Sequence, residues 1–145
     1  MKMKITFWGT RGSIPVSGAR LVRHGGATTC LEIEAEDERV IIDCGSGLAE
    51  LGRAKGFSLD RASFYQTHLH WDHVQGFPFF SSLFNPAAEF SLHAAPREGA
   101  SLHQVLGDQM KRPTFPVGLD IIPAKLSFHD LAIEGSARHG DLEVS

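Results

Sequence analysis

Three histidines and one aspartate lie within six consecutive residues of this chain, in the order H-L-H-W-D-H. His68 and His70 are two positions apart, so in an extended or tightly looped backbone both imidazoles can point to one side and bind one metal ion. Asp72 and His73 follow in the next turn and can reach a second ion. Imidazole with carboxylate suits zinc first, with manganese or iron as further candidates.

Two metal ions roughly 3.5–4 Å apart can activate a hydroxide and stabilise both the attacking and the leaving oxygen of an ester. The spacing therefore predicts a metal centre with hydrolytic chemistry. The alternative is a polar, hydrogen-bonded loop that binds no metal.

A strand must hold this motif in place, and the residues directly before it have the apolar pattern of one. Residues 9–26 form a glycine-rich loop, and residues 77–84 are apolar without a clear period. The hydrophobic periodicity predicts strands at 2–8, 28–35, 39–43, 62–67, 89–93, 124–128 and 142–145, and helices at 48–55 and 99–110. Paired strands followed by strands that alternate with helices indicate an α/β fold with a mixed sheet and flanking helices.

Composition is that of an ordinary globular domain. The chain has 145 residues, 42% of them hydrophobic, and a net charge of −3. This charge gives no general argument for nucleic-acid binding, although it leaves a local basic patch open. No apolar run is long enough to span a membrane, and the first residues read as a strand rather than a signal peptide. We expect a cytoplasmic protein.

The chain has two cysteines, Cys30 and Cys44. They are predicted to be reduced thiols in the core, with a disulfide or a metal thiolate as the alternatives.

The motif from His68 to His73 matches the H-x-H-x-D-H pattern of the metallo-β-lactamase superfamily at every defined position. Further segments resemble its phosphodiesterase-like branch, which includes the ribonuclease Z enzymes, and a subgroup described as cyclic-nucleotide-phosphodiesterase-like. These segments are FWGTRGSIP at 7–15, GGATTC at 25–30, IDCGSG at 42–47, HVQGFPFF at 73–80, and residues 109–119.

The resemblance implies a role for each residue of the motif. His68 and His70 would ligate the first metal, and Asp72 and His73 the second. Asp72 would also orient the nucleophilic water and so be the catalytic residue. Asp43 would lie behind the ligand loop as support for a ligand. A turn residue resembling a helix N-cap is the alternative for Asp43, and the two roles are compatible.

The same resemblance implies that the fold is larger than one chain of this length. A complete member is an αββα sandwich of two similar βα halves, and its second half supplies a third histidine, a bridging aspartate and a last histidine. Residues 1–145 are accordingly predicted to be the N-terminal part of such a domain, with the second half absent. The missing half would leave an apolar sheet face open, from which we expect a homo-oligomer that covers it.

Other candidates are weaker. Arg11 and Ser13 could touch a phosphate, but a solvated loop is the preferred interpretation. His139 precedes Gly140 and is a candidate ligand or a turn residue. The remaining histidines are expected to be surface or packing residues: His24, His93, His103 and His129.

The functional hypothesis is a metal-dependent hydrolase of a phosphodiester or related ester, acting through a metal-activated hydroxide. The alternative is a truncated, metal-binding or inactive half-fold that serves as a binding or oligomerisation module. The expected partner is a small-molecule or nucleotide ester, whereas nucleic acid is less favoured. The substrate-binding residues cannot be assigned from the sequence.

Overall fold

A computed structural model describes residues 2–132, 136–140 and 142–144. In the described residues, eight strands and three helices follow one another, joined by loops and short 3-10 turns. They are β1 (Met3–Gly9), β2 (Cys30–Ala35), β3 (Glu38–Ile42), α1 (Gly47–Lys55), β4 (Arg61–Gln66), α2 (Trp71–Val74), β5 (Glu89–Ala94), α3 (Leu102–Gln109), β6 (Lys125–Asp130), β7 (Ala137–His139) and β8 (Leu142–Val144).

The first six strands form one sheet in the order β1-β2-β3-β4-β5-β6. The pairs β1–β2 and β2–β3 are antiparallel. From β3 onward every pairing is parallel, with α1 in the β3–β4 connection and α3 in the β5–β6 connection. The mixed α/β fold predicted from the sequence is confirmed. Because β3 to β6 run parallel, their carboxyl ends lie at one edge of the sheet, and the metal motif follows β4 at that edge.

The helices cover one face of the sheet and enclose the core. Phe64 on β4 is fully buried and meets the rings of Phe80 and Phe90 edge-on, with ring centroids 5.8 and 5.6 Å away. Leu48 of α1 and Leu106 of α3 are also fully buried in this cluster. Each such side chain contributes about 1.5–3 kcal/mol of burial free energy. The core therefore fixes β4, and with it the start of the ligand motif.

The opposite face of the sheet is divided into two halves. On β1 its side chains are apolar and exposed: Met3 is 52%, Ile5 46% and Phe7 64% accessible. On β4 to β6 the corresponding positions are polar, including a row of three paired serines and a row of aromatic side chains. The rows are Ser63, Ser91 and Ser127, and Tyr65, His93 and His129.

The predicted open apolar face is therefore correct only for the β1 side. Parallel strands are usually apolar on both faces, so the polar half could not be anticipated from the fold class. The small sheet of β7 and β8 lies over this polar half, because His139 on β7 contacts Tyr65 and Ser63.

Several boundaries differ from the predicted ones. The apolar segment 77–84 forms two 3-10 turns, Phe77–Phe79 and Ser81–Phe84. The predicted last strand is β8, and its final predicted residue, Ser145, lies outside the described residues. The two cysteines are free and buried, as expected. Among the described residues, no helix is both long and apolar enough to cross a lipid bilayer.

Candidate metal centre

The ligand motif is positioned by main-chain contacts with the turn that follows β3. The Cys44 N–H donates to the His73 carbonyl at 2.7 Å, and the Gly76 N–H donates to the Cys44 carbonyl at 2.8 Å. A Cβ on Gly76 would lie 1.9 Å from the Gly45 carbonyl oxygen, and one on Gly45 would lie 2.4 Å from that of Asp72. Only glycine fits at both positions, so the two backbones approach closely and fix the motif.

The three imidazoles of the motif face one another. The His68 ring centroid lies 4.5 Å from that of His70 and 4.0 Å from that of His73. His73 and Asp72 also converge, with 3.5 Å between Nε2 and Oδ2. The four side chains that the sequence predicted as ligands are thus brought together at the carboxyl edge of the sheet.

Asp43 lies behind this group and contacts its support. Its side chain is 1% exposed, and its Oδ2 accepts from His73 Nδ1 at 2.8 Å. The Thr67 N–H donates to Asp43 Oδ1 at 2.8 Å, and the Thr67 hydroxyl donates to the same carboxylate. Because Nδ1 is engaged, His73 presents Nε2 toward Asp72, the arrangement that second-sphere carboxylates impose on ligand histidines.

Asp43 is a turn residue but not the helix N-cap, since the residue that precedes α1 is Ser46 and the Asp43 carboxylate is committed to Thr67 and His73. Asp43 has a φ of 64°, a left-handed conformation that aspartate adopts more readily than most residues. This conformation turns the chain out of β3 toward the motif.

Asp72 has a partner that the sequence did not reveal. The backbone N–H of Ser13 donates to Asp72 Oδ2 at 2.7 Å. This hydrogen bond is the main cause that lowers the pKa of Asp72 below its ordinary value, against the opposite effect of burial. Asp72 is therefore a carboxylate at neutral pH. Arg11 turns back within the loop, where its Nε donates to the Ile14 carbonyl at 3.2 Å.

His68 is held in the neutral form. Burial is the main cause that lowers its pKa, and neighbouring His73 and His70 lower it further. A neutral imidazole is the form that binds a metal ion. The donor set of three imidazoles and a carboxylate thus suits zinc in chemistry and in proximity.

The side chains are close together but are not arranged around a common point. Among the residues that the structure describes, no group of three or more His, Cys, Asp or Glu side chains is placed to hold a metal ion. The zinc expectation, with manganese or iron as alternatives, therefore stays a prediction.

The other histidines lie away from the motif. His93 is buried and stacked between the rings of Tyr65 and His129, at centroid distances of 4.5 and 4.7 Å. His139 hydrogen-bonds to Ser63 and Tyr65, so it is not placed with the predicted ligands. His24 and His103 are exposed, as expected for surface residues.

Two contacts of the site escaped sequence reasoning, those of Thr67 with Asp43 and of Ser13 with Asp72. Thr67 stands next to the motif, and a hydroxyl beside a ligand histidine was a usable signal. Ser13 and Asp72 are 59 residues apart, and nothing in the spacing joins them.

The chain is similar to curated proteins named ribonuclease Z. It is 28% identical over 127 residues to the protein from Halorubrum lacusprofundi, covering 84% of this chain and 38% of that protein. It is 31% identical over 126 residues to the protein from a Bradyrhizobium species, covering 83% and 39%. The chain thus spans less than two fifths of the length of these relatives. No protein-family model matches it.

Two solved structures share the fold. The metallo-β-lactamase fold protein YhfI from Bacillus subtilis aligns with a TM-score of 0.64 at 17% identity, covering 97% of this chain and 50% of that one. A diphosphatase from the PhnP family aligns with a TM-score of 0.59 at 18% identity, covering 98% and 60%. Two predictions from the sequence are thus confirmed. One is the resemblance to the ribonuclease Z-like branch, and the other is the metallo-β-lactamase fold.

Proposed function

We propose that this chain, which has the metallo-β-lactamase fold, carries the metal-binding motif of a hydrolase that cleaves phosphodiesters or related esters. The observation that supports this most is the convergence of His68, His70, Asp72 and His73 at the carboxyl edge of the parallel strands. Ligands in open α/β sheets bind at this edge. Similarity to proteins named ribonuclease Z and to a structure named a diphosphatase adds to it.

Each residue has a stated task in this proposal. His68 and His70 would hold one metal ion, and Asp72 with His73 a second. Asp43 keeps His73 oriented by accepting from Nδ1, while Thr67 keeps Asp43 in place through its N–H and hydroxyl. Asp72, already ionised, would accept a hydrogen bond from the water that attacks the ester. A bound zinc ion, or manganese or iron, would supply Lewis-acid activation of that water and of the ester oxygen.

The substrate class follows from the relatives only in part. Proteins named ribonuclease Z among the relatives favour an RNA phosphodiester, and the structural neighbour named a diphosphatase favours a small phosphorylated molecule. The net charge of −3 gives RNA no general electrostatic advantage. We therefore propose a small-molecule or nucleotide ester first, with RNA as the second substrate to be tested.

Self-association and location complete the proposal. The exposed apolar side chains on β1 would be covered by a second copy of the chain, because Met3, Ile5 and Phe7 lie on one face. Two buried free thiols fit a reducing compartment such as the cytoplasm.

A metal-free binding or oligomerisation module is the second candidate. It is favoured by the absence, in the described part of the chain, of three side chains arranged around a metal position. This candidate keeps the fold and the proposed self-association but predicts no metal and no turnover.

Metal content per chain distinguishes the two candidates. Elemental mass spectrometry of purified protein should find about two metal equivalents in the wild type. The double variant His68→Ala/His70→Ala should lose at least half of them, since it removes both imidazoles of one site.

The matched control is His24→Ala/His103→Ala, which removes two exposed histidines outside the motif and should keep the wild-type metal content. A wild type without metal, or equal metal in both double variants, would contradict the hydrolase proposal. If metal is retained, screening of cyclic nucleotides, small phosphodiesters and RNA would follow.

A further inference from the structure

The glycine-rich loop, residues 9–26, is closed at its base by its own backbone. Thr10 and Arg11 donate their N–H groups to the Ala27 carbonyl at 3.2 and 3.1 Å, and Val16 donates to the Gly26 carbonyl at 3.0 Å. A Cβ on Gly26 would lie 1.7 Å from the Val16 carbonyl oxygen, so a glycine is required there. The backbone of the loop is therefore held in a defined conformation at its base.

Residues 12–15 lie between the Arg11–Ala27 and Val16–Gly26 pairings, and they reach the ligand motif at one point. Ser13, whose φ is 71°, directs its N–H to Asp72 Oδ2 at 2.7 Å. Within the described chain, this is the one hydrogen bond that joins residues 12–25 to any residue outside the loop and its base. A non-glycine residue rarely adopts this φ, and here the conformation serves to aim the N–H at the carboxylate.

We infer that the glycine-rich loop is a latch on Asp72, in which the Ser13 N–H sets the orientation of the carboxylate and the carboxylate keeps the loop closed. Ser13 is a positioning residue in this inference. One carboxylate oxygen is occupied by the N–H, while the other oxygen and the remaining lone pairs stay available to a metal ion or to water. The consequence for metal binding rests on the proposed function, but the latch itself does not.

The loop offers a direct probe of its own closure. Arg11 is exposed and lies two residues before Ser13, so trypsin can cut after it when residues 10–14 separate from Ala27 and Asp72. Limited proteolysis of the full chain in the presence of a metal chelator measures the latch without any metal. Asp72→Ala removes the acceptor, and we expect cleavage after Arg11 to become about fivefold to tenfold faster, as the loss of one charge-assisted hydrogen bond implies.

His70→Ala is the matched control, because His70 is an exposed residue of the same motif that makes no hydrogen bond to the loop. It should be cut at the wild-type rate. Equal cleavage of Asp72→Ala and wild type would overturn the latch.

A second measurement needs no variant and therefore no assumption about folding. In the wild-type protein, the Ser13 amide should exchange its hydrogen about tenfold more slowly than the amide of exposed Gly12, once corrected for intrinsic rates. Equal exchange at the two amides would overturn the latch as well.

Metal affinity tests the positioning role separately. Proline cannot adopt the φ of Ser13 and has no N–H, so Ser13→Pro opens the latch, whereas Ser13→Ala keeps the donor. In competition with a chromophoric chelator for Zn²⁺, Ser13→Pro should bind about tenfold more weakly than Ser13→Ala. Equal affinity would refute positioning while leaving the hydrolase proposal intact. Slow Ser13 exchange in a protein that binds none of Zn²⁺, Mn²⁺ and Fe²⁺ would support the latch and refute the hydrolase proposal.

Discussion

Asp43 connects the sheet to the candidate centre through a single carboxylate. It leaves β3 with a left-handed φ, accepts from the Thr67 N–H on Oδ1 and from His73 on Oδ2, and also accepts from the Thr67 hydroxyl. A buried carboxylate with three donors is fully committed, so it cannot rearrange without leaving polar groups unpaired. The orientation of His73 is therefore a property of the fold and not of a bound ion.

At the residue scale, the sequence predicted which residues form the candidate site better than it predicted the contacts between them. Three histidines and an aspartate at fixed spacing were enough to predict the motif, because local spacing decides which side chains can converge. The contact between Ser13 and Asp72 could not be predicted, since it depends on how a long loop folds back. The environment of His93 was equally hidden, because it depends on which strands pair with β5.

His93 should make the stability of the protein depend on pH. Burial, and then the nearby His129 and His139, lower its pKa from 6.5 to about 4, and Tyr65 stacks on its other side. Below pH 6.5, His93 takes up a proton in the unfolded chain but not in the folded chain. The free energy of unfolding therefore keeps its full value above pH 6.5 and falls progressively toward about pH 4. The loss should be on the order of 2 kcal/mol.

His93→Phe keeps a planar ring in the stack and removes this titration. Urea unfolding at several pH values should therefore give a flatter pH profile for His93→Phe than for the wild type. His24→Gln, which changes an exposed loop histidine, should keep the wild-type profile. An unchanged profile in His93→Phe would assign the pH dependence to other groups.

At the element scale, the boundaries were set by caps and turns. Helix α3 begins at Leu102 rather than at the predicted 99, because Ser101 and Gln104 form a reciprocal capping box that starts the helix there. The segment 77–84 had no period that could be assigned, and it forms two 3-10 turns that supply Phe77 and Phe80 to the core.

Gly76 provides a test of how the elements hold the motif. A Cβ there would collide with the Gly45 carbonyl, which is backbone and cannot move aside cheaply. Gly76→Ala should therefore lower the free energy of unfolding by about 2–4 kcal/mol and reduce metal content. Thermal unfolding and elemental analysis measure the two effects.

Gly107 is the matched control, because it lies within α3 and a Cβ there would meet nothing within 4 Å. Gly107→Ala should stabilise the protein by about 0.5–1 kcal/mol through helix propensity. If Gly76→Ala were as stable as the wild type, the close approach of the two turns would not be needed to hold the motif.

At the scale of the whole molecule, the sheet face opposite the helices was predicted only in part. The fold class suggested an apolar face, and β1 has one. The row of serines and the row of aromatic side chains on β4 to β6 are polar instead. Strand order and register decide which residues share a face, and the sequence alone does not determine register across parallel strands.

Phe7 offers a test of the proposed self-association. It is 64% exposed on β1 beside Ile5, and covering it with a second chain would contribute about 1.5–3 kcal/mol. Phe7→Lys should therefore weaken association at least roughly tenfold in sedimentation equilibrium. Phe57→Lys changes a phenylalanine that is 60% exposed but lies on the turn after α1, and it should leave association unchanged. A monomeric wild type would refute self-association.

The main-chain contacts between the turn after β3 and the ligand motif have an evolutionary consequence. Carbonyls, N–H groups and glycines hold these two segments together, and the Asp43 carboxylate adds its hydrogen bonds to Thr67 and His73. Substitutions in the surrounding loops can then accumulate without displacing the ligands. Such a scaffold separates the inheritance of the candidate ligand positions from the divergence of the loops around them.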